Sequence, residues 1–316
     1  MTVNAETGYR AARQGAVVID RAVEGRVRAT GRDRLDLLQR MSTQDMIKLA
    51  PGQAAFTVLT TPLARIVDRL WVLGLADSNV WITGPGRALA VRKWLSGYIF
   101  FRDEVKLSDA STELGQLGLY GAGAAQVAEA LLPGAAGLAA NALLEHEGLI
   151  IARGRPLAGD GFTVLAPADR IAAVWAAAEG AGAVPAGDDT YDLLRLAAGQ
   201  PAAGHELTED YIPLELALWD SVSFSKGCYI GQEIIARMES RGKLARRLVG
   251  LRLAGPVERG APVRVAEREV GAITSTGVLP DQGPVALTVL KTAHAEPGTR
   301  VAVGAVAGEV VGLPFG

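Results

Sequence analysis

Apolar residues follow two different rhythms along this chain, and the change falls near residues 242–246. Before it, runs at helical spacing alternate with strand-like runs. Leu35, Leu38 and Met41 recur at helical spacing behind Thr30-Gly31-Arg32-Asp33, which has the spacing of a capping box, and Pro51-Gly52 is expected to stop that helix. Residues 56–60, 66–75 and 80–83 read as strands, with Ala76-Asp77-Ser78-Asn79 as the polar turn between the last two. Pro85 suits a helix start, and that helix should run to about Ser96. Residues 114–120 read as a strand and 124–132 as a helix. Ile171, Val174, Trp175 and Ala178 share one face of a helix over 168–179, closed by Gly180. A further helix spans 190–198 and ends at Gly199 and Pro201. After Arg246, short strands at 248–253, 263–265, 270–276 and 285–290 alternate with Gly and Pro turns, the pattern of a small all-β barrel or sandwich.

Length and composition narrow the class. A chain of 316 residues implies two or three domains. The net charge of -2 argues against a protein built mainly to coat nucleic acid or an acidic membrane, and 49% apolar with 21% charged residues excludes a largely disordered chain. A single cysteine, Cys228, excludes an internal disulfide and a Cys₄ zinc site. His146, His205 and His294 lie far apart, so no metal site is expected. Residues 114–144 carry Glu129 as their one charge but are broken by six glycines and Pro133, so they do not read as a membrane span. With no signal-like N-terminus, the expected location is cytoplasmic. Gly121-Ala122-Gly123, between a strand and a helix, lacks the third glycine of a dinucleotide fingerprint and reads as a plain turn.

The segment richest in chemistry is Lys226-Gly227-Cys228-Tyr229-Ile230-Gly231-Gln232-Glu233, followed by a helix-like run over 234–239. Flanking glycines allow a tight loop, and a nearby ammonium or helix N-terminus lowers a thiol pKa. On the residues alone, Cys228 reads equally as a working thiol and as a small core residue. This octapeptide resembles the signature of the YgfZ-type folate-binding proteins, relatives of the aminomethyltransferase (T-protein) of the glycine cleavage system. Gly31-Arg32-Asp33, Thr43-Gln44-Asp45, Leu49-Ala50-Pro51-Gly52, the run Leu194-Arg195-Leu196-Ala197-Ala198-Gly199-Gln200-Pro201, and Gly204-His205-Glu206-Leu207 resemble other stretches of that family, in the same order.

The resemblance implies an α+β, three-domain aminomethyltransferase-like ring: a discontinuous folate-binding domain (1–50 and 149–243), an inserted ferredoxin-like α/β domain (51–148) and a C-terminal β-barrel (244–316). It implies tetrahydrofolate as cofactor, bound in a central cavity by Asp68, Arg195, Lys226, Tyr229, Gln232 and Glu233, with Cys228, Lys226 and Asp68 as the catalytic candidates. It implies a monomer that serves iron–sulfur client enzymes, tRNA-modifying ones included, and a thiol of depressed pKa at the cavity rim.

The departures from the aminomethyltransferases are informative. Where those enzymes have Asp-Asp, this chain has Asp68-Arg69. Their pterin-holding Glu corresponds to Gly159, with Asp160 as a candidate substitute one residue on. These changes set a folate-dependent accessory protein ahead of a one-carbon transferase. A third alternative, an RNA or protein adaptor, would use the basic run Arg237, Arg241, Lys243, Arg246 and Arg247, which no aromatic residues interleave.

Overall fold

The structure, a computed structural model, describes residues 2–242 and 244–315. Lys243 of the basic run lies outside the described residues. The helices are α1 (Ala5–Gln14), α2 (Arg34–Met41), α3 (Ala88–Ser96), α4 (Ala124–Leu131), α5 (Ile171–Gly180), α6 (Asp188–Ala197) and α7 (Gln232–Arg241). The strands up to α3 are β1 (Ala16–Asp20), β2 (Glu24–Thr30), β3 (Ala54–Thr60), β4 (Ile66–Gly74) and β5 (Ser78–Pro85). Next come β6 (Lys106–Asp109), β7 (Leu114–Gly121), β8 (Leu143–His146), β9 (Leu149–Arg153), β10 (Asp160–Pro167) and β11 (Ala183–Ala186). Beyond α7 lie β12 (Arg246–Leu253), β13 (Pro262–Val265), β14 (Arg268–Leu279), β15 (Gly283–Lys291), β16 (Arg300–Val303) and β17 (Val306–Val311).

The first five-stranded sheet has the order β3-β4-β5-β2-β6 and is antiparallel throughout. A six-stranded sheet has the order β11-β1-β7-β10-β9-β8, antiparallel except for the β1–β11 pair. The C-terminal strands close into a barrel, β12-β15-β14-β13-β16-β17, as the Gly- and Pro-punctuated pattern predicts. Strands group otherwise than boundaries at 50/51 and 148/149 suggest. β2 pairs with β5, and β8 pairs with β9, so each boundary would cut a hydrogen-bonded unit. Pairing between strands distant in sequence leaves no local trace in composition.

The two sheets stack face to face. Leu70 and Val72 of β4 point to a core filled by Leu37, Leu38 and Met41 of α2 and Val91 and Leu95 of α3. Their neighbours Trp71 and Leu73 point the other way and pack with Ile82 against Ile150, Ala152 and Leu165 of the six-stranded sheet. Successive strand residues face opposite sides, so a strand buried on both reads as an unbroken apolar run. The far face of the six-stranded sheet is covered by α4 and α5 through Val127, Ala128, Val174 and Ala178.

Local expectations are corrected in three places, the first at Pro85, which ends β5 opposite Glu24 while α3 begins at Ala88. The capping box does not form: α2 begins at Arg34, and Asp33 Oδ2 instead accepts from the Glu104 amide at 2.8 Å. That helix ends at Met41, where the Ser42 hydroxyl donates to Leu38 O, well before Pro51. The Gly121-Ala122-Gly123 turn is a packing device. Gly121 has φ +122, and a Cβ there would meet Ala12 O at 2.3 Å. The amides of Ala122 and Gly123 donate to Ala12 and Gly15 carbonyls, so they are not free to cradle a phosphate.

The barrel is tied to α6 by a buried polar cluster. Arg195 Nη1 donates to Ser275 Oγ of β14 at 2.8 Å, and its Nε to Asp192 at 3.2 Å. Glu206, with no exposed surface, accepts from Ser275 Oγ and the Ala202 amide, and lies 3.9 Å from Arg195. Replacing Arg195 with Leu leaves a buried carboxylate without its cation, a change that costs about 3–5 kcal/mol. Thermal unfolding of Arg195→Leu should show a melting temperature lower by several degrees; an unchanged one would remove the clamp role.

Candidate functional site

A cavity of about 220 Å³ opens where the seam between the two sheets meets the segment Gln200–Leu207. Its walls carry the aromatic rings of Phe56, Trp71, Tyr120, Phe162 and Tyr191. The charged groups on it are Arg21, Glu24, Asp68, Arg69 and Arg155. β-Periodicity explains much of this. Trp71 lies directly across from Phe56 on β3, and the two rings stack at 5.3 Å with planes 9° apart. Arg69 is two residues before Trp71, hence on the same face of β4.

Asp68 is 2% exposed, at the end of β4. Its carboxylate accepts from the amides of Arg69 (2.8 Å) and Gly84 (3.3 Å) and pairs with Arg87 Nε at 3.2 Å. A side chain at residue 84 would meet Asp68 Oδ1 at 3.2 Å, so Gly84 makes the room for this carboxylate. Burial pushes the Asp68 pKa up to about 6, with Arg87 and the two amides opposing it. Asp68 therefore exchanges its proton near neutral pH, the range in which an acid–base group is useful. Glu24 of β2 lines the same cavity and pairs with Arg21 at 2.8 Å, and Gln116 Nε2 also donates to its carboxylate.

Arg69 and Arg155 are residues that sequence reading did not single out as ligand contacts. Their guanidinium carbons lie 4.2 and 4.8 Å from the Phe56 ring centre. Asp220 pairs with both, at 3.7 Å from Arg69 and in direct hydrogen bond with Arg155. Burial and the neighbouring Arg155 charge lower the Arg69 pKa to about 9. For Arg69 the available signal was an Asp-Arg pair inside a mostly apolar strand run.

The other expected site residues lie elsewhere. Among the described residues lining the cavity, Asp68 is the one member of the expected set; Arg195, Lys226, Cys228, Tyr229, Gln232 and Glu233 are not there. Arg195 is engaged in the barrel clamp. Lys226 is buried, and its ammonium donates to Gln39 O, Ser42 O and Gln44 O at 2.8, 2.7 and 2.7 Å. Burial lowers its pKa to about 8, with Asp45 opposing. Its protons are directed to carbonyls, and it thereby pins the signature loop to the chain leaving α2. Tyr229 is buried with Ile212, Leu214 and Ile235, and its amide donates to Gln232 Oε1 at 3.3 Å. Glu233 is exposed in the first turn of α7. Cys228 is exposed on that loop. Asp160 pairs with Arg153 and lines a neighbouring recess that shares Gly154 and Gly161 with the cavity. Gly159 has φ +130, and a Cβ there would meet the Ala122 amide nitrogen at 2.7 Å, so this loop has no space for a glutamate side chain. In the basic run, Arg246 and Arg247 pair with Glu215 and Glu296.

Two stacked sheets flanked by helices, a C-terminal barrel and a cavity at their junction define an aminomethyltransferase-like protein. The GCVT N-terminal domain model matches residues 1–226, and the glycine cleavage T-protein C-terminal barrel domain matches residues 246–315. The chain belongs to the glycine cleavage T-protein family. The crystal structure of aminomethyltransferase T of the glycine cleavage system from Bartonella henselae superposes with a TM-score of 0.89 at 26% identity, covering 99% of this chain and 90% of that one. An aminomethyltransferase of Symbiobacterium thermophilum is 29% identical over 97% of this chain and 88% of its own length. A chloroplastic protein of Arabidopsis thaliana, assigned only provisionally to the transferases, is 32% identical over 95% of this chain and 71% of its own. Among the described residues no helix is long and apolar enough to cross a membrane.

The raised Asp68 pKa has a sign. Between pH 3.8 and about 6 the folded state holds a proton that the unfolded state has lost, so stability falls as pH rises through this window. Two pKa units correspond to about 3 kcal/mol by pH 7. The melting temperature of Asp68→Asn minus that of the parent should therefore increase from pH 4 to pH 7. A difference that stays flat would show Asp68 to be ionised across the range.

Proposed function

We propose that this protein binds tetrahydrofolate in the cavity between its two sheets and acts as a YgfZ-type accessory protein for the assembly or maintenance of iron–sulfur enzymes, tRNA-modifying ones included. The observation that carries the binding half is the cavity's own composition. Aromatic rings flank buried N–H donors that lack hydrogen-bond partners, Arg69 Nη2, Arg155 Nε and Trp71 Nε1, next to the buried carboxylate of Asp68. A flat heterocycle with carbonyl and carboxylate acceptors suits such walls. When bound, tetrahydrofolate supplies a one-carbon carrier. The chain's own residues provide the rest. Trp71 and the tyrosines give stacking surface, the arginines donate to acceptors, and Asp68 holds or releases a proton at its carboxylate oxygen. The sheet seam keeps bulk water from that carboxylate.

The accessory half draws on the Lys226–Glu233 octapeptide, which resembles that branch, and on Arg69, a cation where the aminomethyltransferases have a second acid. Exposed Cys228 is the candidate thiol for contact with a client or its metal-bound sulfur. The competing reading, a tetrahydrofolate-dependent aminomethyl transferase, rests on retained Asp68 and on the aminomethyltransferase relatives. An adaptor role for the basic run is weakened by the pairing of Arg246 and Arg247.

Tetrahydrofolate at a hundred times its Kd should stabilise the protein by about 2.7 kcal/mol, read as a rise in melting temperature. No shift at millimolar ligand would remove folate binding. A host strain lacking this gene should lose iron–sulfur enzyme activity, and Cys228→Ala should fail to restore it. Full complementation by Cys228→Ala, or efficient formation of 5,10-methylenetetrahydrofolate from an aminomethyl-loaded lipoyl carrier, would move the reading to the transferase.

A further inference from the structure

Arg69 and Arg155 both lie on the cavity wall close to one aromatic ring, Phe56, and together they are short of an acceptor. The Arg69 side chain is 8% exposed, yet its Nη2 makes no hydrogen bond among the described residues. Arg155 Nε is buried and equally unpartnered, as is the indole N–H of Trp71 in the same wall. Each orphan is a donor, so what the wall lacks is lone pairs. Asp220 pairs with both guanidiniums, but it is half exposed, stands 3.7 Å from Arg69 and bonds Arg155 through Nη2 alone. Two cations against one such carboxylate leave one positive charge in excess within this Arg69–Arg155–Asp220 group.

We infer that Arg69 and Arg155, with the Trp71 indole beside them, form a subsite for a carboxylate group. A carboxylate is planar, carries one negative charge and offers about four lone-pair positions, which matches the excess charge and the number of orphan donors. A phosphate dianion would overshoot the charge. Burial and the Arg155 charge already disfavour the Arg69 cation, and a bound anion offsets the repulsion. The inference rests on the reading that this cavity is the ligand site. The carboxylate can come from the glutamate of a folate or from a separate small acid bound beside the pterin.

The test uses the whole chain and two variants, Arg69→Met and Arg155→Met. Both keep an apolar stem over Phe56, and removing either cation leaves Asp220 solvated, so both should fold. Affinities are measured for tetrahydrofolate and for 6-methyltetrahydropterin, which has no carboxylate. Acetate and glycine are titrated with and without the pterin, at constant ionic strength, with chloride and inorganic phosphate as controls. If the carboxylate belongs to folate, each variant weakens tetrahydrofolate about tenfold to a hundredfold and leaves 6-methyltetrahydropterin unchanged. If it belongs to a separate acid, tetrahydrofolate affinity is unchanged, and acetate or glycine binding is lost in the variants. The subsite is overturned if neither variant alters any of these affinities, or if chloride or phosphate binds as well as acetate. If neither tetrahydrofolate nor the pterin binds the parent protein, folate binding fails, and Arg69-dependent acetate binding still decides the subsite.

Discussion

Burial of charge in the seam between two apolar sheets is the constraint on which the site depends. A sheet packed on both faces excludes water, so any ionised group at its edge must be hydrogen-bonded, paired or neutralised. Asp68 meets this with two amides, Arg87 and a raised pKa. Arg69, next along the same strand, meets it incompletely, with Ser221 Oγ at 3.2 Å and a distant Asp220. Consecutive residues of β4 thus place a reluctant acid and a reluctant base at one cavity. Nothing in a fold of this size needs such groups for stability, since replacing buried ions by apolar residues is often neutral or favourable. Their presence is better accounted for by a ligand than by the core.

Much of the architecture was legible in the chain. The barrel announced itself through Gly- and Pro-spaced β runs, and the strand at β4 through its mostly apolar stretch. The site was less legible, because it is assembled from strands β2, β3, β4, β5, β7 and β10, helix α6 and the 200–207 segment, which meet only after pairing. Asp68 could be picked out as an acid in an apolar run. Phe56 and Trp71 could not, since aromatic residues in strands are ordinarily core. Arg195 drew attention by its place in a family-like helix, but its bonds to Asp192 and Ser275 give it a structural task.

The octapeptide at 226–233 shows how a conspicuous motif divides between holding a loop and exposing a group. Lys226 is spent on three carbonyls at the end of α2, and Tyr229 on a small apolar cluster. Thr60 Oγ1 donates to Ile230 O at 2.7 Å, which ties the loop to β3. These contacts fix a loop on which Cys228 stands exposed. A lysine two residues from a cysteine suggests thiolate activation when read as sequence. In the fold that ammonium is turned to three carbonyls, while Cys228 stands exposed on the loop that leads into α7.

The segment 200–207 joins the cavity to the barrel. Gln200, Ala203, His205 and Leu207 line the cavity, while Glu206 between them points into the clamp with Ser275 and Arg195. His205 Nδ1 lies 3.1 Å from the same Ser275 hydroxyl, and burial, with Arg195 next, lowers its pKa. One short segment therefore has a face on the ligand site and a face on the barrel. Its backbone is held by the Ala202 amide, which donates to Glu206, so the cavity-lining segment and the buried, charge-assisted network share one carboxylate. The barrel is thus joined through Ser275 to the segment that lines the cavity, although no barrel strand contributes to the cavity wall among the described residues.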